Sequence, residues 1–159
     1  MKTVYIKYFD PKIPVIDKIK VGDWIDLRIR DVVGEDKVSK FMFEDNIYCG
    51  HGPGEFLKIY LGIGMILPHN YEAHILPRSS TFKHTGLIQV NSMGIIDNSY
   101  NGNDDEWFVP MYALKGGSLI RYERIVQFRI IERMPELIVR TVETLNTESR
   151  GGFGSTGRK

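Results

Sequence analysis

The chain has 159 residues, which is the size of one domain with a single hydrophobic core. Its 21 Lys and Arg against 20 Asp and Glu give a formal net charge of +1, so it lacks the basic excess of a general nucleic-acid or membrane-surface binder. The single cysteine, Cys49, excludes an internal disulfide and a cysteine-rich zinc site, and it favours a reducing, cytoplasmic location. No signal-peptide pattern and no run of about 18 apolar residues occurs, so we expect no targeting segment and no membrane span.

The first predicted elements are short β-strands. Residues 3–9 alternate between apolar and polar side chains, as a half-buried strand does. Residues 34–54 are polar and Gly-rich, and they predict a loop or small excursion between two strands. Residues 56–67 carry apolar side chains at every odd position from Leu57 to Leu67, which predicts one half-buried strand.

The second half of the chain continues the pattern. Residues 106–114 and 124–131 are short runs rich in aromatic and β-branched types and predict strands. Residues 134–145 leave helix and strand open, with Val139, Thr141 and Val142 slightly favouring a strand. Many short strands with turn signals between them predict an all-β sandwich or barrel.

The C-terminal residues 150–159 hold four glycines with Ser and Thr, a composition that predicts a flexible tail. Such a segment either closes backbone amides around phosphates or is a disordered terminus. The single apolar ring in it, Phe153, favours a segment that stacks on something.

One candidate anion site follows the strand that ends near Leu76. Arg78, Ser79 and Ser80 offer a guanidinium, two hydroxyls and backbone amides, which together suit a phosphate. The alternative is a capped turn with a surface arginine.

One candidate general base is Asp97, which directly follows the apolar pair Ile95 and Ile96. We expect partial desolvation to raise its pKa, which would suit a general base. Tyr100 could place a flat ring beside the same pocket. The alternative is a hairpin with an aspartate at its turn.

Two further groups of polar residues are less distinctive. Arg124 and Gln127 are three residues apart on a predicted strand, so an ideal strand directs them to opposite faces. His69 and His74 flank Glu72 without the spacing of a metalloprotease helix, and we predict surface histidines rather than a metal site.

Five stretches, taken in order, resemble the five motifs of the trimeric dUTPases (dUTP diphosphatases). They are residues 22–27, 77–80, 91–102, 122–127 and 151–157. Each is weak alone, but five in register cover nearly the whole chain. The Asp-Trp-Ile-Asp-Leu form of the first motif and the pair Trp107-Phe108 are most similar to dUTPases of Bacillus and its phages.

The resemblance implies a distorted β jelly roll that assembles as a homotrimer, with active sites at subunit interfaces. Residues 1–147 would form the β domain, and residues 148–159 would form a mobile arm that closes over a site. The implied reaction is hydrolysis of dUTP to dUMP and pyrophosphate with Mg²⁺ on the triphosphate. This reaction limits uracil in DNA and supplies dUMP. The near-neutral charge adds the expectation that the chain has no nucleic-acid or membrane partner.

The resemblance also implies roles for the phosphate-side residues. Asp97 would orient and deprotonate the water that attacks the α-phosphorus. Substrate-bound Mg²⁺ with Arg78, Ser79, Ser80 and Gln127 would offset the charge on the phosphate oxygens. Asp26 would reach the site only indirectly, through water or by holding Arg124.

Base and sugar selection are implied for the hairpin at 91–100. Main-chain groups would read uracil, with Asn91, Gly94 and Ile96 on the base side. Tyr100 would pack under the deoxyribose and leave no room for a 2′-hydroxyl. The ring over uracil would be Phe153, which motif position favours, or Phe108.

The last motif would add substrate contacts from the tail, which are Arg150, Phe153, Gly154, Ser155 and Thr156. The family usually has an arginine where this chain has Glu148, so the phosphate role would fall to Arg150. Two alternatives share the fold. One is dCTP deaminase, possibly bifunctional, and the other is a dUTP-responsive regulatory protein with residues 34–54 as its partner surface.

Overall fold

A computed structural model of the chain describes residues 2–16, 22–43 and 45–145. Within these residues the fold is nearly all β, with twelve strands and one five-residue helix. The strands are β1 Tyr5–Tyr8, β2 Ile25–Arg28, β3 Asp31–Val33, β4 Tyr48–His51, β5 Phe56–Tyr60, β6 Ile63–Ile66, β7 Tyr71–Pro77, β8 Leu87–Gln89, β9 Gly94–Ile96, β10 Phe108–Ala113, β11 Gly117–Ile120 and β12 Arg124–Glu132, and the helix is α1 Thr81–Thr85. None of the helical residues described could form a membrane span.

The strands of this part of the chain form two four-stranded sheets and two two-stranded ribbons. The sheets have the orders β2-β12-β7-β9 and β3-β5-β10-β8, and the ribbons are β1-β6 and β4-β11. All of these pairs are antiparallel. The predicted all-β class is confirmed, and the arrangement agrees with a distorted jelly roll.

The core lies between the two large sheets and takes the odd-numbered side chains predicted for residues 57–67, all of which are buried. Trp107 joins it from the start of β10 and meets Phe128 of β12 edge to face, with ring centroids 5.5 Å apart. The prediction of one continuous strand is wrong, however. The chain turns between β5 and β6 at Gly62, whose φ is +70° and where a Cβ would lie 2.4 Å from Ile13 Cδ1.

The helix α1 was not predicted from the sequence. Its buried threonines hold it: the Thr81 hydroxyl donates to the carbonyl oxygen of Ile125 at 2.6 Å, and the Thr85 hydroxyl donates to that of Thr81 at 2.7 Å. Gly86 ends it with a left-handed φ of 69°. A single turn of this kind is too short for hydrophobic periodicity to reveal.

Two predictions about irregular segments need correction. Residues 34–54, predicted as a loop or small excursion between two strands, contain a strand of their own, β4, which pairs with β11. Residues 134–145, for which a strand was slightly favoured, form neither strand nor helix, and Val139 is 90% exposed. Among the described strands none pairs with residues 134–145, and β propensity does not form a strand without a paired neighbour.

Candidate active site

Three strands bring two arginines onto one carboxylate. Asp26 lies on β2, Arg78 directly follows β7, and Arg124 begins β12. The Asp26 Oδ1 accepts from Arg78 Nε at 2.9 Å, and its Oδ2 accepts from an Arg124 guanidinium nitrogen at 3.1 Å. Two guanidinium groups on one carboxylate leave a local excess of positive charge, which suits phosphate oxygens.

A β-bulge explains how Arg124 and Gln127 come together. The pairing of β12 with β2 shifts between Arg124 and Val126, so Arg124 lies opposite Arg28 and Gln127 lies opposite Asp26. Ile125 and Val126 are consequently both buried. The expectation of opposite faces is therefore wrong, because the extra residue of the bulge restores both polar side chains to one face.

The remaining residues of this group lie beside the arginines. Gln127 Nε2 donates to the carbonyl oxygen of Pro77 at 3.2 Å, which directs the amide towards Arg78. The backbone N–H of Arg78 donates to Thr81 Oγ1 at 3.0 Å, fixing the turn. Ser79 is exposed and Ser80 is half-buried at the start of α1. We call Asp26, Arg78, Arg124 and Gln127 the arginine cluster.

Asp97 lies at the end of β9 in an exposed position. Its Oδ1 accepts from both the hydroxyl and the backbone N–H of Ser99, at 2.5 and 2.7 Å. These hydrogen bonds, the hydroxyl foremost, lower the pKa of Asp97 below its usual value. The expected desolvation is wrong for the single chain, since Ile95 before it is 57% exposed and covers nothing.

The hairpin before Asp97 is held by side-chain amides. Gln89 Nε2 donates to Asn91 Oδ1 at 3.0 Å and to the carbonyl oxygen of Ile75 at 3.2 Å. Gly94 is buried, and a Cβ there would lie 3.3 Å from Ile75 Cβ, so the close pairing of β9 with β7 requires a small residue. Ile96 packs against the core. Asn91, Gly94 and Ile96 thus belong to one ordered hairpin with Asp97.

Tyr100 bridges this hairpin and the chain beyond it. Its backbone N–H donates to the carbonyl oxygen of Asp97 at 3.3 Å, and its hydroxyl donates to that of Glu106 at 3.1 Å. The ring is half-buried against the core. Asn98 secures the same turn, with Nδ2 donating to the carbonyl oxygen of Pro68 at 3.1 Å.

The arginine cluster and Asp97 lie at opposite ends of one sheet. Ile96 pairs with Ala73 near one end of β7, whereas Arg78 follows the other end. Five residues of extended chain separate Ala73 from Arg78, or roughly 17 Å. A single copy of the chain therefore does not bring the carboxylate of Asp97 to the groups around Asp26.

Of the two aromatic rings expected over the uracil, Phe108 lies among the described residues and Phe153 does not. Phe108 lies on β10 in the other sheet, 5.9 Å from the ring of Tyr60, with Lys58 Nζ 3.7 Å from its centroid. Phe153 lies outside the described residues, as do Arg150, Gly154, Ser155 and Thr156.

The described residues contain no group of three or more His, Cys, Asp or Glu side chains that could hold a metal ion. Both oxygens of Asp26 accept from arginines, and His74 lies 2.6 Å from a carboxylate oxygen of Glu72. This donor set fits a metal that arrives on a polyphosphate better than one held by the chain alone.

One element of the site was missed by sequence reasoning. Glu106 is buried and forms a two-point ion pair with Arg30, next to the Tyr100 hydroxyl. Its only sequence signal is an acid directly before the apolar pair Trp107-Phe108, at the end of a polar turn.

Comparisons with known proteins identify the family to which the chain belongs. The family model described as dUTPase matches residues 52–157. The SPbeta prophage-derived deoxyuridine 5′-triphosphate nucleotidohydrolase YosS of Bacillus subtilis (strain 168) is 44% identical over 156 residues, which cover 98% of this chain and 99% of that protein.

Solved structures share the fold at low sequence identity. The dUTPase of Staphylococcus bacteriophage 80alpha with dUPNHPP aligns over 99% of both chains with a TM-score of 0.71 and 18% identity. A mutant dUTPase from phage phi11 of S. aureus, described with a structural Mg(II) ion, aligns over 91% of this chain and 99% of that chain, with a TM-score of 0.67 and 13% identity. With its family model, its near full-length relative and its fold in agreement, this chain belongs to the dUTPase family.

Proposed function

We propose that the chain hydrolyses dUTP to dUMP and pyrophosphate. The observation that carries the proposal is the pair of half-sites on the sheet β2-β12-β7-β9, a positive arginine cluster at one end and an anionic Asp97 at the other. A phosphate-binding group and a water-activating group are the two parts that hydrolysis of a phosphoanhydride needs.

Asp97 acts on the attacking water. Its pKa is lowered further below the ordinary aspartate value, so it is ionised at neutral pH and can accept a hydrogen bond from the water. The water oxygen then bonds to the α-phosphorus, the bond from that phosphorus to the α,β-bridging oxygen breaks, and Asp97 takes up the proton. The products are dUMP and pyrophosphate.

The arginine cluster acts on the phosphates. Arg124, whose side chain is 52% exposed, and Arg78 have donors beyond those used by Asp26. Asp26 acts indirectly, as a fixed anion that orients both guanidinium groups. Gln127, Ser79 and Ser80 add neutral donors, so that the charge on the phosphate oxygens is offset as the anhydride breaks.

Mg²⁺ belongs to this proposal as part of the substrate, bound mainly through the triphosphate. When bound to the triphosphate, it withdraws charge from the phosphate oxygens. The residues nearest to it would be those of the arginine cluster, with Asp26 in contact only through water.

The active unit is a homotrimer in this proposal. The stretch of β7 from Ala73, the partner of Ile96, to Arg78 spans roughly 17 Å, which supports a site to which two copies contribute. Exposed apolar side chains on residues 134–145, Ile138 and Val139 foremost, offer a surface that a neighbouring copy would cover. Residues 148–159 would then reach a site as an arm, with Arg150 on phosphate and Phe153 over the base.

Substrate selection lies with the hairpin and Tyr100. Main-chain groups around Gly94 and Ile96, supported by Asn91, would pair with uracil, and cytosine would leave such groups unpaired at a cost of about 1–3 kcal/mol each. Tyr100 would lie under the deoxyribose and exclude a 2′-hydroxyl. A cytoplasmic location also belongs to the proposal.

The test is pyrophosphate release with Mg²⁺ from dUTP, dTTP, dCTP and UTP in parallel. We expect release from dUTP alone, and we expect Asp97→Asn to abolish it while nucleotide binding persists. Release from none of the four by folded protein contradicts hydrolysis, and an Asp97→Asn variant with near wild-type rate contradicts the role of Asp97. Ammonia release from dCTP would identify a deaminase instead.

A further inference from the structure

Tyr100 is hydrogen-bonded to the backbone of Glu106, whose side chain forms a buried ion pair with Arg30. Glu106 is 8% exposed, and its Oε1 accepts from Arg30 Nε at 2.6 Å while its Oε2 accepts from a terminal nitrogen of Arg30 at 2.8 Å. Glu106 Oε1 also accepts from the backbone N–H of Gly62 at 2.8 Å. A carboxylate with three donors at these distances has little freedom to move.

The partners of Glu106 are themselves fixed. Gly62 is the left-handed turn between β5 and β6, and a Cβ there would lie 3.1 Å from Arg30 Cβ as well as against Ile13. The backbone N–H of Arg30 donates to the carbonyl oxygen of Tyr60 at 2.8 Å. The carboxylate of Glu106 is therefore anchored to the junction of two core strands.

This anchoring reaches Tyr100 through one hydrogen bond. The Tyr100 hydroxyl donates to the backbone carbonyl oxygen of Glu106, the residue whose side chain carries the ion pair. The next residue, Trp107, is already held by backbone hydrogen bonds to Ile63 and Leu61. The Trp107 N–H and the Glu106 carbonyl belong to one planar peptide unit, so the strand holds this unit from the Trp107 side and the Arg30–Glu106 ion pair holds it from the Glu106 side.

We propose that the Arg30–Glu106 ion pair positions the Tyr100 ring and thereby sets discrimination between deoxyribose and ribose. The inference rests on the proposed function, in which the ring lies under the sugar. Arg30 and Glu106 are positioning residues, since they act through Tyr100. A ring with a fixed hydroxyl end cannot tilt aside to admit a 2′-hydroxyl, whereas a ring released at that end can.

The experiment compares Glu106→Gln, Tyr100→Phe and the double variant, with Glu55→Gln as the matched control. Glu106→Gln keeps the size of the side chain but removes the ion pair, and Tyr100→Phe removes only the hydroxyl. Glu55→Gln removes a different ion pair, the one with Lys40, which has no contact with Tyr100. The readout is kcat/KM for UTP relative to dUTP.

We expect this ratio to rise about fivefold in each single variant, the effect of one lost hydrogen bond. It should rise no further in the double variant, because both changes break the same connection. Glu55→Gln should keep the wild-type ratio. Multiplicative effects in the double variant, or a wild-type ratio in Tyr100→Phe, would overturn the inference.

Two measurements keep the test decisive. If Glu106→Gln does not fold, Arg30→Lys, which retains the charge but loses the two-point geometry, takes its place beside Tyr100→Phe. Calorimetric affinities for dUTP and UTP in EDTA give the same selectivity without turnover. Selective binding by a wild-type chain that releases no pyrophosphate counts against the hydrolysis, whereas unchanged binding selectivity in the variants counts against the positioning.

Discussion

Two variants that are inactive alone, Asp97→Asn and Arg78→Ala, are expected to restore activity when they assemble together. In the proposed mechanism Asp97→Asn removes the group that takes the proton, and Arg78→Ala removes a phosphate ligand. Asp97 follows Ile96, which pairs with Ala73 near one end of β7, and roughly 17 Å of extended chain separates Ala73 from Arg78 within one copy. In the proposed homotrimer a site takes the two residues from different copies, so a mixed assembly contains sites in which both are intact.

The size of the recovery follows from the symmetry. In a closed ring each site takes Asp97 from one copy and Arg78 from its neighbour. In a random equal mixture, half of the copies supply an intact Asp97 and half of their neighbours supply an intact Arg78. About a quarter of the sites should therefore be active. Two copies of the same variant never form an intact site, so each variant alone stays inactive.

The assay is pyrophosphate release from dUTP by protein co-refolded from an equal mixture of the two variants. Different affinity tags on the variants verify that mixed assemblies have formed. A mixture of Asp97→Asn with Asp97→Ala is the control, since it cannot form an intact site. Verified mixed assemblies without activity would refute the division of the site between copies.

Three further predictions concern the proposed general base Asp97, the buried His51 and the C-terminal residues 148–159. Ser99→Ala removes the hydroxyl that chiefly lowers the pKa of Asp97, so the acid limb of kcat/KM against pH should move to higher pH. Burial lowers the pKa of His51, so the unfolded chain takes up a proton at higher pH than the folded chain does, and stability should fall as the pH drops below about 6.5. The melting temperature of His51→Gln should lose this pH dependence. The melting temperature of His69→Gln, the control, should keep it. Deleting residues 148–159 should abolish turnover but leave the oligomer intact by light scattering, and a monomer would contradict the proposed arm.

The strand pattern and the order of the motifs could be predicted because both are local. The odd-numbered apolar positions between Leu57 and Leu67 are all buried, as the alternation requires. The turn at Gly62 was missed, since a glycine at an even position fits the same alternation as a polar residue. What restricts this position to glycine is its left-handed φ of +70° and the side chain of Ile13, which the fold brings to Gly62 from far away in sequence.

The geometry of the site depended on features that have no local signal. A β-bulge changes the face of every residue beyond it, and nothing in the sequence from Arg124 to Gln127 marks one. The partner of Glu106 is 76 residues away, so an ion pair with Arg30 could not be read from either segment. Spacing rules apply to ideal strands, and this site lies where the strand is irregular.

The expectation of a desolvated Asp97 is wrong for the single chain for a reason that also bears on catalysis. In an exposed position, with Ser99 donating twice, Asp97 is ionised but weakly basic. A base of low pKa removes a proton from water inefficiently. Substrate and a second copy of the chain would exclude water from the carboxylate, which raises its pKa towards the working pH. We therefore expect one event, closure of the site between copies, both to bring the arginine cluster to the phosphates and to make Asp97 a competent base.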